Sequence, residues 1–145
     1  MADVLSSLAV GDVVATETIH LSRDSLVRYA GASGDFNPIH YRDDVAESVG
    51  LPGVLAHGML TMGIAISPVQ AWLGDWGHIR SYQVRFTRPV VVDPDKGHTV
   101  TVSATVGVIT SNDDGGVESV RVDLTVQSEA GETVLGKAQV VVAPR

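Results

Sequence analysis

The chain has 145 residues, 44% of them hydrophobic, enough for one domain with a sizeable core and too few for two ordinary ones. Its 17 Asp and Glu against 10 Lys and Arg give a formal net charge of −7, so the surface has no general attraction for a phosphate backbone, and nucleic-acid binding is disfavoured. The absence of cysteine excludes disulfides, thiolate metal sites and a cysteine nucleophile.

Residues 1–10 carry neither the basic start nor the long apolar run of a signal peptide. No stretch reaches the apolar length of a membrane span; even residues 58–73 are too few and include Gln70. The default expectation is a cytoplasmic protein with no membrane partner.

Residues 10–19 alternate β-branched positions after Gly11-Asp12 and predict an opening strand. Ser22-Arg23-Asp24-Ser25 reads as a helix start, with Leu26, Val27 and Tyr29-Ala30 on an apolar stripe ending near Gly31. Residues 31–38 are turn-rich, which places Asp35 and Asn37 on a loop or a short broken helix. A brief helix is expected over residues 43–49, closed by Gly50 and stopped by Pro52.

From Gly58 to Trp72 the residues are almost wholly apolar without strict alternation, which predicts a helix buried on most of its circumference. Pro68 removes one helical hydrogen bond and is expected to kink or divide it near Ser67. Long β patterns follow over residues 79–92, 99–110, 117–128 and 133–142, separated by segments rich in Asp, Gly, Asn and Pro that suit strand connections. Alternation through Val100, Val102, Ala104 and Val106, and through Val120, Val122, Leu124 and Val126, means each strand buries one face. The fold class expected is α+β, an antiparallel sheet wrapped around the helix that begins at Gly58.

The chemistry concentrates in Asp35-Phe36-Asn37-Pro38-Ile39-His40 and His57-Gly58-Met59. Singly, Asp35 reads as a turn former and His40 as a packed histidine. Together on one short loop they can hold a water, Asp35 accepting a hydrogen bond and His40 accepting or returning a proton near neutral pH. A helix starting at His57-Gly58 presents unpaired N–H groups and the positive end of its dipole. Gly58 has no side chain to block a ligand, so its N–H can meet a carbonyl oxygen that becomes an enolate; the plain alternative is a glycine that permits tight packing. His57 is available to cap the turn rather than act chemically.

Rival sites fare worse. Asp35, His40 and His57 can be imagined around a metal, but His-Glu-x-x-His spacing and thiolates are missing. The chain has no nucleophile elbow for a serine hydrolase, and Gly31-Ala32-Ser33-Gly34 is too short for a dinucleotide fingerprint. Met59 and Met62 read first as core residues, with a Met-lined acyl tunnel as the alternative. Arg80, Arg85 and Arg88, in or beside a strand, read as solvated, or as binders of a carrier-arm phosphate.

The run from Tyr29 through His40, with Ala46, Gly50 and Ala56-His57-Gly58-Met59-Leu60, resembles the hydratase motif of the MaoC-like family, the (R)-specific enoyl-thioester hydratases and (3R)-hydroxyacyl-thioester dehydratases, including those of type II fatty acid synthesis. The resemblance implies a hot dog fold in a single domain, 1–145. It also implies that Asp35 and His40 activate the water added to C3 of a trans-2-enoyl thioester, and that the Gly58 N–H stabilises charge on the thioester oxygen. Asn37, His57 and Met59 become substrate-binding or supporting residues. No cofactor and no metal are needed. One departure stands out: some bacterial members carry a serine on the central helix where this chain has Ile66, with Ser67 next to it.

Hot dog folds usually pair, which implies a dimer with an identical or a second hot dog subunit, acting on acyl-carrier-protein or coenzyme A thioesters. The competing reading is a non-catalytic acyl-binding or partner-stabilising subunit. A thioesterase on the same fold is a third.

Overall fold

The structure, a computed structural model, describes residues 4–145. The reading of the amino terminus as free of a signal peptide partly concerns residues 1–3, which lie outside the described residues. Five antiparallel strands form one sheet: β1 (Val13–Leu21), β2 (Gly77–Phe86), β3 (His98–Ser111), β4 (Val117–Ser128) and β5 (Thr133–Pro144). Their spatial order is β1-β3-β4-β5-β2, which leaves β1 and β2 as edges. Three helices accompany them: α1 (Arg23–Ser33), α2 (Asp43–Ser48) and α3 (Gly58–Leu73). No helix among the described residues is long and apolar enough to cross a membrane.

The predicted alternation is realised in the sheet. Val100, Val102, Ala104 and Val106 of β3 lie buried beside Val120, Val122, Leu124 and Val126 of β4, in a register pairing Val102 with Val126 and Val106 with Val122. Burial of such side chains stabilises the fold by on the order of 1.5 kcal/mol each. Helix α3 contacts β1, β2 and β3 and completes this core.

Helix α3 fully buries Thr61, Ala65, Pro68, Val69 and Leu73, while Leu60, Ile64, Ile66 and Trp72 pack half-buried against the core, which leaves one exposed face. Met59, two positions before Thr61, is therefore rotated away from the sheet and is 60% exposed, which corrects its reading as a core residue. Pro68 does not divide the helix, which runs unbroken to a C-cap at Gly74 whose N–H bonds to the Gln70 carbonyl.

Strand β2 ends at Phe86, well before residue 92: Thr87 N–H makes a last bond to Val134 O of β5 at 3.2 Å, and Arg88 and Pro89 then leave the ladder. Residues 90–92 pair instead with residues 54–56: Ala56 N–H donates to Val90 O at 2.8 Å and Val92 N–H to Val54 O at 2.9 Å. This short ladder carries the chain up to α3 and bears on the site below.

Candidate active site

Helix α1 delivers the loop that carries the first two residues. A capping box starts it, Ser22 Oγ accepting from Ser25 N–H and Ser25 Oγ from Ser22 N–H. Gly34, at φ +77°, stops it in a left-handed conformation that only glycine adopts cheaply, two residues beyond the expected end near Gly31.

Beyond Gly34 the loop is tied by successive side-chain caps. Asp35 Oδ1 accepts from Asn37 N–H at 3.1 Å, and Asn37 Oδ1 from Ile39 N–H at 3.3 Å, at the head of a 3₁₀ turn, Pro38–His40. The turn-forming reading of Asp35 is thus realised with one oxygen, while Oδ2 points to His40 Nε2 at 3.9 Å. Asn37 supports the loop and does not line the cavity beside His40.

His40 is buried, and its Nδ1–H donates to the Leu55 carbonyl at 2.7 Å. That bond assigns the tautomer: Nδ1 holds a proton, and Nε2 is the nitrogen free to take or give one beside Asp35. Leu55 is itself held by its N–H on Ile39 O at 3.1 Å and by the ladder with residues 90–92. Arg23 braces the ladder, donating from Nε to Val92 O while pairing with Asp43 of α2 at 2.9 Å; this hydrogen bond holds the Asp43 carboxyl below the usual carboxylate range.

His57 does not cap α3 with its side chain. Its ring stacks on His40, centroids 3.8 Å apart, and meets Tyr29 edge-on at 4.8 Å. Nε2–H donates to the Asp35 carbonyl at 3.0 Å, and Nδ1 is buried without a partner. Asp35, His40 and His57 do bring ligand atoms within 4.8 Å of one another. The two rings are stacked only 23° from parallel, so their in-plane lone pairs run side by side instead of converging on one point. The donor set does not fit a shared ion.

Gly58 opens α3, so its N–H has no intrahelical acceptor. It lines a hollow of about 350 Å3 together with His40, Leu55, Ala56, Thr61, Phe86 and Leu135. A Cβ on Gly58 would lie 3.1 Å from Phe86 Cε1, so the absent side chain makes room for that ring. Thr61 hangs from the His57 carbonyl through its hydroxyl at 3.4 Å.

The structure brings Asp35, His40, His57 and Gly58 to one place, and leaves Met59 outside the hollow on the exposed side of α3. Ser67 does not stand in for a serine at position 66: its hydroxyl bonds to Gly63 O on the exposed face. Of the arginines singled out, Arg80 pairs with Glu118 at 3.5 Å and Arg88 with Glu132 at 3.4 Å, and only Arg88 reaches the hollow. Three contributors were missed. The Leu55 carbonyl is a backbone group that no residue type announces. Phe86 and Thr61 carried a signal, an aromatic at the end of a strand and a hydroxyl in the first turn of an apolar helix, that points to the site only once the fold sets Phe86 against Gly58.

An antiparallel sheet wrapped over one long helix, with the opening glycine of that helix beside an apolar hollow, is the architecture of a hot dog fold. The family model for the MaoC-like domain matches residues 6–130, and the chain belongs to that family. It is 36% identical over 103 residues to 3-hydroxyacyl-thioester dehydratase X of Mycobacterium tuberculosis, an alignment covering 71% of this chain and 30% of that enzyme. It is 33% identical over 87 residues to the (R)-specific enoyl-CoA hydratase of Rhodospirillum rubrum, covering 59% of this chain and 58% of the relative. The chain thus spans under two thirds of the length of either relative. Among solved structures, a MaoC-like dehydratase superposes with TM-score 0.86 at 33% identity, over 97% of this chain and 42% of the other. The ChsH1-ChsH2 complex of M. tuberculosis shares the fold, with TM-score 0.78 at 23% identity over 94% of this chain and 98% of that one.

Proposed function

We propose that this chain catalyses the reversible (R)-specific hydration of trans-2-enoyl thioesters, acting physiologically in the dehydrating direction on (3R)-hydroxyacyl thioesters during fatty acid elongation. The observation that carries the reading is the His40 tautomer. With Nδ1–H held by Leu55 O, Nε2 stands 3.9 Å from Asp35 Oδ2, a gap that one water closes by donating to both.

In the hydrating direction, Nε2 takes a proton from that water as its oxygen bonds to C3. The C2–C3 π electrons move toward the carbonyl, and the thioester oxygen becomes enolate-like, with the Gly58 N–H and the α3 dipole aimed at it. C2 then takes a proton returned through the Asp35-His40 pair, which restores the site. Dehydration runs the same steps backwards: C2 loses a proton and the 3-hydroxyl leaves as water. The relatives' names, a dehydratase and an (R)-specific hydratase, support this chemistry.

The unit proposed is a single domain, 1–145, in the cytoplasm, paired through the free edge of β2 with an identical or a second hot dog subunit. An edge strand with unpaired backbone groups supports the pairing, as do the exposed Phe36, Met59 and Phe86. Spectroscopic loss of the enoyl absorbance of crotonyl and longer thioesters, with a sedimentation measurement of oligomeric state, tests the reading. Thioesters left untouched by the protein, alone and with a hot dog partner, overturn the activity, and release of free thiol points to a thioesterase instead.

A further inference from the structure

The hollow beside His40 and Gly58 is lined in part by a ledge of three consecutive residues that follow β2, Thr87, Arg88 and Pro89. The same three residues line a second hollow of about 660 Å3 that reaches Glu132 and Thr133. Arg88 and Pro89 also line a third, of about 310 Å3. Arg88 therefore stands where the reaction hollow meets its neighbours, and among the described residues it is the only Lys or Arg lining the hollow that contains His40. Its partner is Glu132 at 3.4 Å, with the two side chains 58% and 52% exposed. A single exposed contact of that length stabilises little, so the guanidinium is free to exchange it for a better anion.

We propose that Arg88 is a binding residue for the phosphate at the far end of the substrate's thiol-bearing arm. This rests on the thioester reading above. A thioester whose carbonyl oxygen meets the Gly58 N–H has its acyl chain on one side of the carbonyl and its pantetheine arm on the other. The arm leaves the reaction hollow over the Thr87-Arg88-Pro89 ledge and ends in a phosphate, which a planar guanidinium receives through two parallel N–H donors. Charge reinforces the choice. A chain of net charge −7 repels a polyanionic carrier, so a cation at the exit sets where the arm crosses the surface. The same phosphate belongs to a carrier-protein prosthetic group and to coenzyme A, so either carrier satisfies the site.

The test measures binding and turnover separately. Saturated butyryl thioesters of coenzyme A, of a carrier protein and of phosphate-free pantetheine have no double bond to hydrate, and their dissociation constants are read by calorimetry on the full-length protein. Arg88→Ala should weaken the two phosphorylated ligands about tenfold, the scale of one lost charge-assisted pair, and the pantetheine ligand less than twofold. The crotonyl thioesters should show the same split in KM, with kcat little changed. Arg28→Ala, which removes the same charge from an exposed i,i+4 pair on α1, should change none of the constants. An effect on the coenzyme A ligand alone assigns the phosphate to that carrier, and an effect on the carrier protein alone assigns it to the other. Equal weakening of all three ligands by Arg88→Ala, or no weakening at all, overturns the proposal. Failure of the wild type to hydrate any thioester while the binding split persists overturns the activity and leaves the phosphate site standing.

Discussion

The imidazoles of His40 and His57 lie stacked, centroids 3.8 Å apart and 23° from parallel, and the second ring also donates from Nε2 to the Asp35 carbonyl at 3.0 Å. His57 thereby touches both members of the proposed acid-base pair, and its own carbonyl starts the helix whose first residue is Gly58. Removing the ring should loosen all three at once. His57→Ala is expected to cost about 2–4 kcal/mol of stability, from a buried cavity and a lost hydrogen bond, and to lower kcat at least tenfold. His57→Phe keeps a stacking ring and loses the donor, so it should recover much of the stability without the activity. Thermal unfolding and enoyl-thioester kinetics on both variants check this; full activity in the Phe variant would show that the bond to Asp35 is idle.

Asp35→Asn and His40→Ala bear on the proton transfer itself. Each is expected to lower kcat by about 10²–10⁴-fold, the usual range for a positioned acid or base, with a much smaller change in KM. Their effects should not add, because the two side chains are proposed to serve one water. A double variant no worse than the poorer single one is the expected result, and a multiplicative loss would separate the pair.

Gly58→Ala places a methyl 3.1 Å from Phe86 Cε1, tighter than ordinary contact, so the half-exposed ring must give by a few tenths of an ångström. The backbone N–H survives the change. The expected outcome is therefore a several-fold loss in kcat/KM with stability altered by less than about 1 kcal/mol. Adding Phe86→Ala frees the space and should restore part of the activity. Loss of activity in the pair equal to that of Gly58→Ala alone would mean that the methyl obstructs the ligand rather than the ring.

Tyr82 gives a pH signature outside the site. Its hydroxyl donates to Met62 O at 2.8 Å, tying β2 to α3, and burial pushes its pKa up to about 12 from the ordinary 10.0. The neutral phenol is the form that the fold favours. Its contribution is fully present below pH 10 and is lost as the pH rises toward 12, because the unfolded chain gives up the proton first. Denaturant titrations should show stability falling over that interval, and Tyr82→Phe should flatten the fall while costing about 1 kcal/mol at neutral pH from the lost hydrogen bond. An unchanged slope in the variant would assign the alkaline loss to other groups.

Sequence patterns are a good guide here where one physical requirement dominates. Alternation sets the β3 and β4 core, and Gly58 marks the start of α3 because a long apolar run begins there. Asp35 and His40 were legible as a pair because a short loop keeps them close. The failures have equally specific causes. Met59 looks like core in any count of apolar residues, and only the phase of α3 against the sheet, set by Thr61, Ala65 and Val69, turns it outward. The pattern over residues 79–92 reads as one strand, yet Pro89 and its neighbours break the ladder and send residues 90–92 to residues 54–56. The partner of His40 Nδ1 is a main-chain oxygen, invisible to any argument from side-chain types.

That oxygen ties the proton inventory of the site to main-chain order elsewhere. Leu55 is fixed by the pairing of residues 54–56 with residues 90–92, which rests on two ladder hydrogen bonds and the Arg23 brace. A pairing this small opens more readily than the central strands, and while it is open the imidazole can hold its single proton on either nitrogen. The Ala56 and Val92 amides, which donate the two ladder bonds, therefore act as reporters of chemical competence. Their hydrogen exchange should quicken at temperatures where β3 and β4 remain protected, and activity should fade with those two amides well before the sheet melts.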